Sequence, residues 1–153
     1  MADGDGNAYG SATLIETGPF AGWITWGLGS DPYETHCGPF CYKVEPDGRV
    51  RAAFQPAPHH LNGMGALHGG ALMSFADFAL FAIAHHSLIG ATAVTLTCNS
   101  EFIAAGGIDG WVEADGEVIK ETRSVIFVRG TLRQNGKALL AFSGVLKKLG
   151  PRT

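Results

Sequence analysis

Three polar residues stand where the sequence otherwise offers apolar side chains or glycine: Asn62, His68 and Asp77. The stretch Leu67-His68-Gly69-Gly70-Ala71-Leu72-Met73-Ser74-Phe75-Ala76-Asp77-Phe78-Ala79-Leu80-Phe81-Ala82-Ile83-Ala84-His85-His86 reads as a helix apolar on almost every side. Such a helix belongs in the middle of a core. A carboxylate inside it is costly unless paired, hydrated or placed at a cavity, so Asp77 needs a reason to be there. At the helix start the N–H groups of Gly69 and Gly70 have no intrahelical partner and lie at the positive end of the dipole. Glycine lets a substrate carbonyl approach closely, and such a turn can receive the charge of a developing oxyanion. Asp77 follows about two turns later. A carboxylate facing a polarised carbonyl can activate water as a general base or attack as a nucleophile. The chemistry indicated is acyl transfer, specifically hydrolysis. No Gly-x-Ser-x-Gly elbow is present and Ser74 has no evident base, so a serine triad is not supported. Plainer roles stay open: His68 as a hydrogen-bonded loop residue, and Asp77 as a structural acid bonded to a neighbour in the core.

The elements that hold these residues follow from periodicity and turn chemistry. Residues 1–12 are Gly-, Asp- and Ser-containing and are expected to be disordered, leaving 13–150 as one domain. Thr13 to Gly38 is rich in glycine and aromatics (Phe20, Trp23, Trp26, Tyr33) and is expected to form a short helical or irregular lid over the core. Phe40 to Glu45 and Val50 to Phe54 read as short strands around the turn Pro46-Asp47-Gly48-Arg49. Gln55 to Leu67 is a proline- and glycine-punctuated loop that ends at the helix, and Gly90 stops the helix. Val94, Leu96 and Cys98 alternate with Thr95, Thr97 and Asn99, a period-2 signal for a half-buried strand. Trp111 to Lys120 alternates too, with Glu113, Asp115 and Glu117 on the wet face. Val125 to Gln134 and Lys137 to Lys148 flank Asn135-Gly136, a strong hairpin signal. The order is two short strands, one buried helix and a meander of long antiparallel strands. A curved sheet wrapped around a single apolar helix satisfies it, which is an α+β domain.

Composition excludes several classes. With 46% apolar and only 16% charged residues, the surface is short of charge for a small monomer, and part of it is expected to be covered by another copy. A net charge of −3 without a basic patch excludes a nucleic-acid binder. The helix approaches bilayer length, but Asp77, His85 and His86 interrupt it and no basic cluster flanks it, so no membrane partner is expected. Cys37, Cys41 and Cys98 make no even disulfide framework. The start lacks a basic n-region and an apolar h-region, so a cytoplasmic location is expected. His36-Cys37-x-x-x-Cys41 has no second ligand pair at zinc spacing, and no metal is expected.

Asn62-x-x-x-x-x-His68-Gly69-Gly70, an apolar helix carrying Asp77 and a strand beginning Ala93-Val94-Thr95 together resemble the hotdog-fold acyl-CoA thioesterases. The closest group is the phenylacetic-acid-degradation (PaaI-type) enzymes and similar mammalian thioesterase superfamily members. The resemblance runs from about Phe40 to Leu149 and implies a hotdog fold. It also implies that Asp77 activates the water, that the Gly69 N–H polarises the thioester carbonyl, and that Asn62 helps hold the carbonyl or water. His68 would shape the turn, and Thr95 would assist the water. Gly70 and Phe78 would contact substrate, in an acyl tunnel with Leu72, Met73, Phe75 and Phe81 as further candidates, although core packing explains most of these. Lys120 and Arg123 fall where the family often contacts the coenzyme A phosphates. Coenzyme A would be part of the substrate, with no separate cofactor. The site would form between two subunits of a homodimer, and such pairs often join into tetramers. A non-catalytic hotdog module that binds acyl thioesters or aromatic ligands is the alternative. A hydratase of the same fold matches His68-Gly69-Gly70 poorly.

Overall fold

The computed structural model describes residues 12–150. Residues 1–11, nearly all of the segment expected to be disordered, lie outside the described residues. Eight strands form one antiparallel sheet: β1 (Thr13–Leu14), β2 (Ile24–Thr25), β3 (Cys41–Val44), β4 (Val50–Phe54), β5 (Thr92–Phe102), β6 (Val112–Glu121), β7 (Val125–Gln134) and β8 (Lys137–Leu149). Their spatial order is β1-β2-β3-β4-β6-β7-β8-β5. A six-residue helix, α1 (Pro32–Cys37), precedes β3, and the main helix, α2 (Gly69–Ile83), packs against β4 to β8.

Helix α2 forms because its Ala, Leu and Phe residues favour helix and must all be hidden. Leu72, Phe75, Ala76, Phe78, Ala79, Leu80 and Ala82 are buried, and the helix gives way at Ala84 to a 3-10 turn, His85–Leu88. Aromatic rings knit its inner face to the sheet. Phe75 lies 4.8 Å from Phe54 and 5.3 Å from Phe40, centroid to centroid, and Phe78 lies 5.1 Å from Trp26. The helix sits so low over β8 that the backbone of Gly144 is in contact with Leu80; a Cβ there would overlap the Leu80 side chain and come within 2.7 Å of the Thr97 carbonyl oxygen. On the other face of the sheet, Arg51–Glu113, Arg129–Glu117 and Arg133–Asp115 pair in solvent, and exposed pairs of this kind add little stability.

The hotdog arrangement expected from the sequence is present, with α2 inside a curved antiparallel sheet. Strands β4 and β7 start and stop where predicted, and the Asn135-Gly136 hairpin closes with φ of 50° and 79°, as its turn chemistry requires. Three details differ. The segment expected to be only a lid also supplies β1 and β2, two-residue strands too short to show periodicity, besides α1. The long strands are not one simple meander. After α2 the chain runs to the far edge as β5, and β6 then returns beside β4. Finally, before its bulge β5 shows the opposite face to the one its pattern suggests, whereas Cys98 beyond the bulge turns inward as that pattern implies. Val94 and Leu96 are exposed (43% and 55%), while Thr95 lies on the side of α2. Among the described residues no helix is long and apolar enough to cross a membrane.

Candidate active site

Asp77 is half-buried on the flank of α2 that faces β5 and α1. Its Oδ1 accepts a hydrogen bond from Thr95 Oγ1 at 2.7 Å. Thr95 reaches the helix because Ala93 and Thr95 face inward on an edge strand, just before a bulge between Thr95 and Thr97. A hydrogen bond of this sort holds the carboxyl group in one orientation. Beside the pair is a cavity of about 380 Å³ lined by Trp26, Ser30, Asp31, Glu34, Phe81 and Ala93 to Thr95 together with Asp77. A second cavity of about 370 Å³ touches Asp77 from the other side, with Met73, Ser74 and Cys98 in its wall. The acid in the apolar helix therefore has a reason to be there: it borders open space with one fixed donor behind it.

At the helix start, His68 is the N-cap, and its Nδ1 accepts from the Gly70 N–H at 2.8 Å. This places the ring proton on Nε2, which points away from the cap. The Gly70 amide is thus occupied, whereas the Gly69 N–H has no acceptor among the described residues. Asn62 Oδ1 accepts from the Met64 and Ala66 N–H groups at 2.9 and 3.2 Å, so the side chain organises its own loop and keeps Nδ2 for donation outward. Buried His60 clasps this region. Its Nδ1 accepts from the Ala57 N–H, its Nε2 donates to the Cys37 carbonyl at 2.6 Å, and its own carbonyl takes the His68 N–H. Burial holds its proton affinity below the usual value, so the neutral ring that this pattern needs is favoured.

Helix α1 covers the open flank of α2. Asp31 caps it by accepting the Glu34 N–H at 3.0 Å, and Tyr33 Oη bonds Ser74 Oγ at 2.7 Å. Ser74 spends its proton on the Gly70 carbonyl, so the tyrosine is the donor. Glu34 turns its carboxyl toward the space shared with Asp77. Burial first, and then the charges of Asp31 and Asp77, push its pKa up to about 8. Its Oε2 is buried without a hydrogen-bond partner. Because the folded value lies above the 4.5 of a free glutamate, the native state holds a proton that the unfolded chain has lost. Glu34 therefore costs nothing below pH 4.5, weighs increasingly against the fold as pH rises, and exerts its whole effect above pH 8. Glu34→Gln is expected to match the wild-type melting temperature at pH 5 and exceed it at pH 8.5. Melting curves across that range check this, and a parallel pair of curves would contradict it.

Of the residues singled out in the sequence, Asp77 and Thr95 come together, as do Asn62, His68, Gly69 and Gly70. The two groups do not meet within one chain. Eight residues of helix separate Gly69 from Asp77, ~12 Å along the axis. Lys120 and Arg123 lie farther off. Lys120 stands opposite Phe127, which stands opposite Val145, which stands opposite Thr97, so three strand spacings, ~14 Å, lie between Lys120 and β5. Phe78 is buried among Trp26, Phe40 and Phe75, while Phe81 and Met73 line the cavities beside Asp77. The sequence alone does not single out Glu34, Tyr33 or His60 as site residues. Nothing in a glycine-rich stretch marks a glutamate as one that will be folded under, and only the pairing of the last α1 turn with His60 makes it visible.

The chain is 28% identical to a conserved protein of Pseudomonas aeruginosa, with a TM-score of 0.68 over 78% of this chain and 94% of that one. It is also 28% identical to the phenylacetic acid degradation protein PaaI of Thermus thermophilus, with a TM-score of 0.65 over 78% of this chain and all of the other. A Bacillus halodurans protein solved with coenzyme A shares the fold at 22% identity, with a TM-score of 0.66 over 72% of this chain and 74% of that one. No curated protein matches the chain. The model of the thioesterase superfamily matches residues 64–141, a span that runs from the loop before His68 through Asp77 and Thr95 and into β8. The helix with its acid, the amide turn at its start and strands β5 to β7 lie within that match, and the chain belongs to the thioesterase superfamily.

Proposed function

We propose that this chain hydrolyses the thioester of an aryl- or medium-chain acyl-coenzyme A to the free acid and coenzyme A. The observation that carries the reading is the Asp77–Thr95 pair, an oriented carboxylate bordering a cavity walled by Trp26 and Phe81. Asp77 takes a proton from water as its oxygen adds to the thioester carbonyl, and the C–S bond then breaks to release coenzyme A. The oxyanion formed in between is held by the Gly69 N–H, with Asn62 Nδ2 beside it. Since these donors lie ~12 Å along the helix from Asp77 of the same chain, they come from a second copy. Strand β5 is the edge of the sheet, bonded only to β8, and it carries exposed Val94, Leu96 and Phe102. Pairing β5 with β5 of another copy removes that edge and brings one chain's amide turn toward the other's acid. The enzyme is therefore a homodimer, or a tetramer built from such dimers. Lys120 and Arg123 of the partner serve the phosphates of coenzyme A, which enters as part of the substrate. Three unpaired thiols suit a cytoplasmic location.

Thiol release from a panel of aryl- and fatty-acyl-coenzyme A esters tests the reading. If ligands bind and no ester is cleaved, the chain is instead a binding module. Thr95→Val is expected to lower kcat about tenfold with KM nearly unchanged, since one hydrogen bond to a charged group contributes roughly 1.5–3 kcal/mol. Unaltered kinetics would remove Thr95 from the mechanism.

A further inference from the structure

We propose that Glu34 is the general acid of this reaction, its carboxyl protonating the sulfur of coenzyme A as the C–S bond breaks. The assignment rests on the hydrolase reading and adds to it a residue that lies outside the stretch matched to the superfamily.

Four observations lead to it. Glu34 and Asp77 line the same two cavities, one from α1 and the other from α2, and the larger of these also has Thr95 in its wall. Neither cavity has a lysine, arginine or histidine in its wall. With no cation to balance two anions, one carboxyl must keep its proton. Asp77 Oδ1 already accepts the Thr95 hydroxyl, whereas Glu34 Oε2 is buried and bonded to nothing among the described residues. The proton therefore belongs to Glu34. Finally, α1 is fixed at both ends and along its side, by the Asp31 cap, by the His60 bond to the Cys37 carbonyl and by the Tyr33–Ser74 bond. A glutamate that served only to hold α1 in place would spend its side chain on one of these bonds, and Glu34 does not.

The protons balance. Water gives one proton to Asp77 as its hydroxyl adds to the carbonyl carbon. When the C–S bond breaks, its electron pair goes to sulfur, and sulfur takes the proton of Glu34. The acyl group leaves with the water's oxygen and second hydrogen. Asp77 then returns its proton to the Glu34 carboxylate, directly or through a water, and both groups are as they began. The titratable groups around Glu34 are Asp31, Tyr33 and Cys37 on its own segment, Asp77 on α2 and Cys98 on β5.

The test varies the leaving group. Wild type and Glu34→Gln are compared on two thioesters of one acyl group, the coenzyme A ester and the ester of nitrothiobenzoate, whose acidic thiol departs without a proton. Rates are taken per folded enzyme. Glu34→Gln is expected to lose about a hundredfold in kcat on the coenzyme A ester and less than about threefold on the nitrothiobenzoate ester. The alkaline limb of the wild-type kcat profile disappears with it, and Glu34→Asp recovers part of the lost rate. Asp77→Asn, by contrast, loses both esters alike, because the base acts before the sulfur departs. Equal losses on both esters in Glu34→Gln, or none, overturn the assignment while leaving the hydrolase reading intact. A wild-type protein inert toward both esters overturns the hydrolase reading and this assignment together.

Discussion

Asp77→Asn is expected to lower kcat for an aryl- or medium-chain acyl-coenzyme A ester by about a thousandfold or more, with KM within about threefold of wild type. Asparagine has nearly the shape of aspartate, and its Oδ1 can still accept from Thr95 Oγ1, so the local structure is kept. What goes is the only group on α2 able to take a proton from water at that place. A thousandfold loss is ~4 kcal/mol of transition-state stabilisation, in the range of a lost general base together with its electrostatic effect. Because the interaction develops in the transition state, the loss appears in kcat and not in KM. Thiol release followed with a chromogenic reagent measures both constants. Near-normal turnover in the variant would end the role given to Asp77.

The largest effect on stability belongs to Phe75→Ala, which is expected to destabilise the fold by about 3–5 kcal/mol. Phe75 is fully buried and packs on Phe40 and Phe54, which belong to the first half of the sheet, and on Phe78 one turn along the helix. Truncation leaves a void that neither the sheet nor the helix can close. On the other side, the Leu80 side chain of α2 is already seated against the backbone of Gly144, so the helix has little freedom to shift. A domain of this size has roughly 5–15 kcal/mol in total, so the variant folds marginally if at all. Urea unfolding of both proteins gives the difference, and a loss under about 1 kcal/mol would mean that Phe75 is not central to the core.

The sequence announces the parts of this molecule whose residues are near one another in the chain. A 15-residue apolar helix, the Asn135-Gly136 hairpin and the alternating charges of β6 are local patterns with local physical causes. The acid in the helix and the amide turn at its start are legible for the same reason, since both sit on one element. What the sequence hides is set by distant contacts. The period of β5 is plain, but period alone does not say which face is inward. Val94 and Leu96, apolar and so expected inside, point outward because the strand ends the sheet and Thr95 is needed against Asp77. Glu34 was invisible for a related reason. Its unusual proton affinity comes from burial under a fold that brings Asp31 and Asp77 beside it, 43 positions of chain away in the second case. His60 looks like one of a pair of loop histidines until the Cys37 carbonyl is placed next to it.

The contact between Gly144 and Leu80 has a consequence for the chemistry. Leu80 is one turn beyond Asp77, and its δ-methyls fill the space that a side chain at 144 would take, on the strand beside the one that carries Thr95. A methyl group at that point would act as a wedge, crowding both the Leu80 tip and the Thr97 carbonyl without touching the hydroxyl or the carboxylate. The fit between helix and sheet beside the acid is written partly as an empty position on the opposite wall.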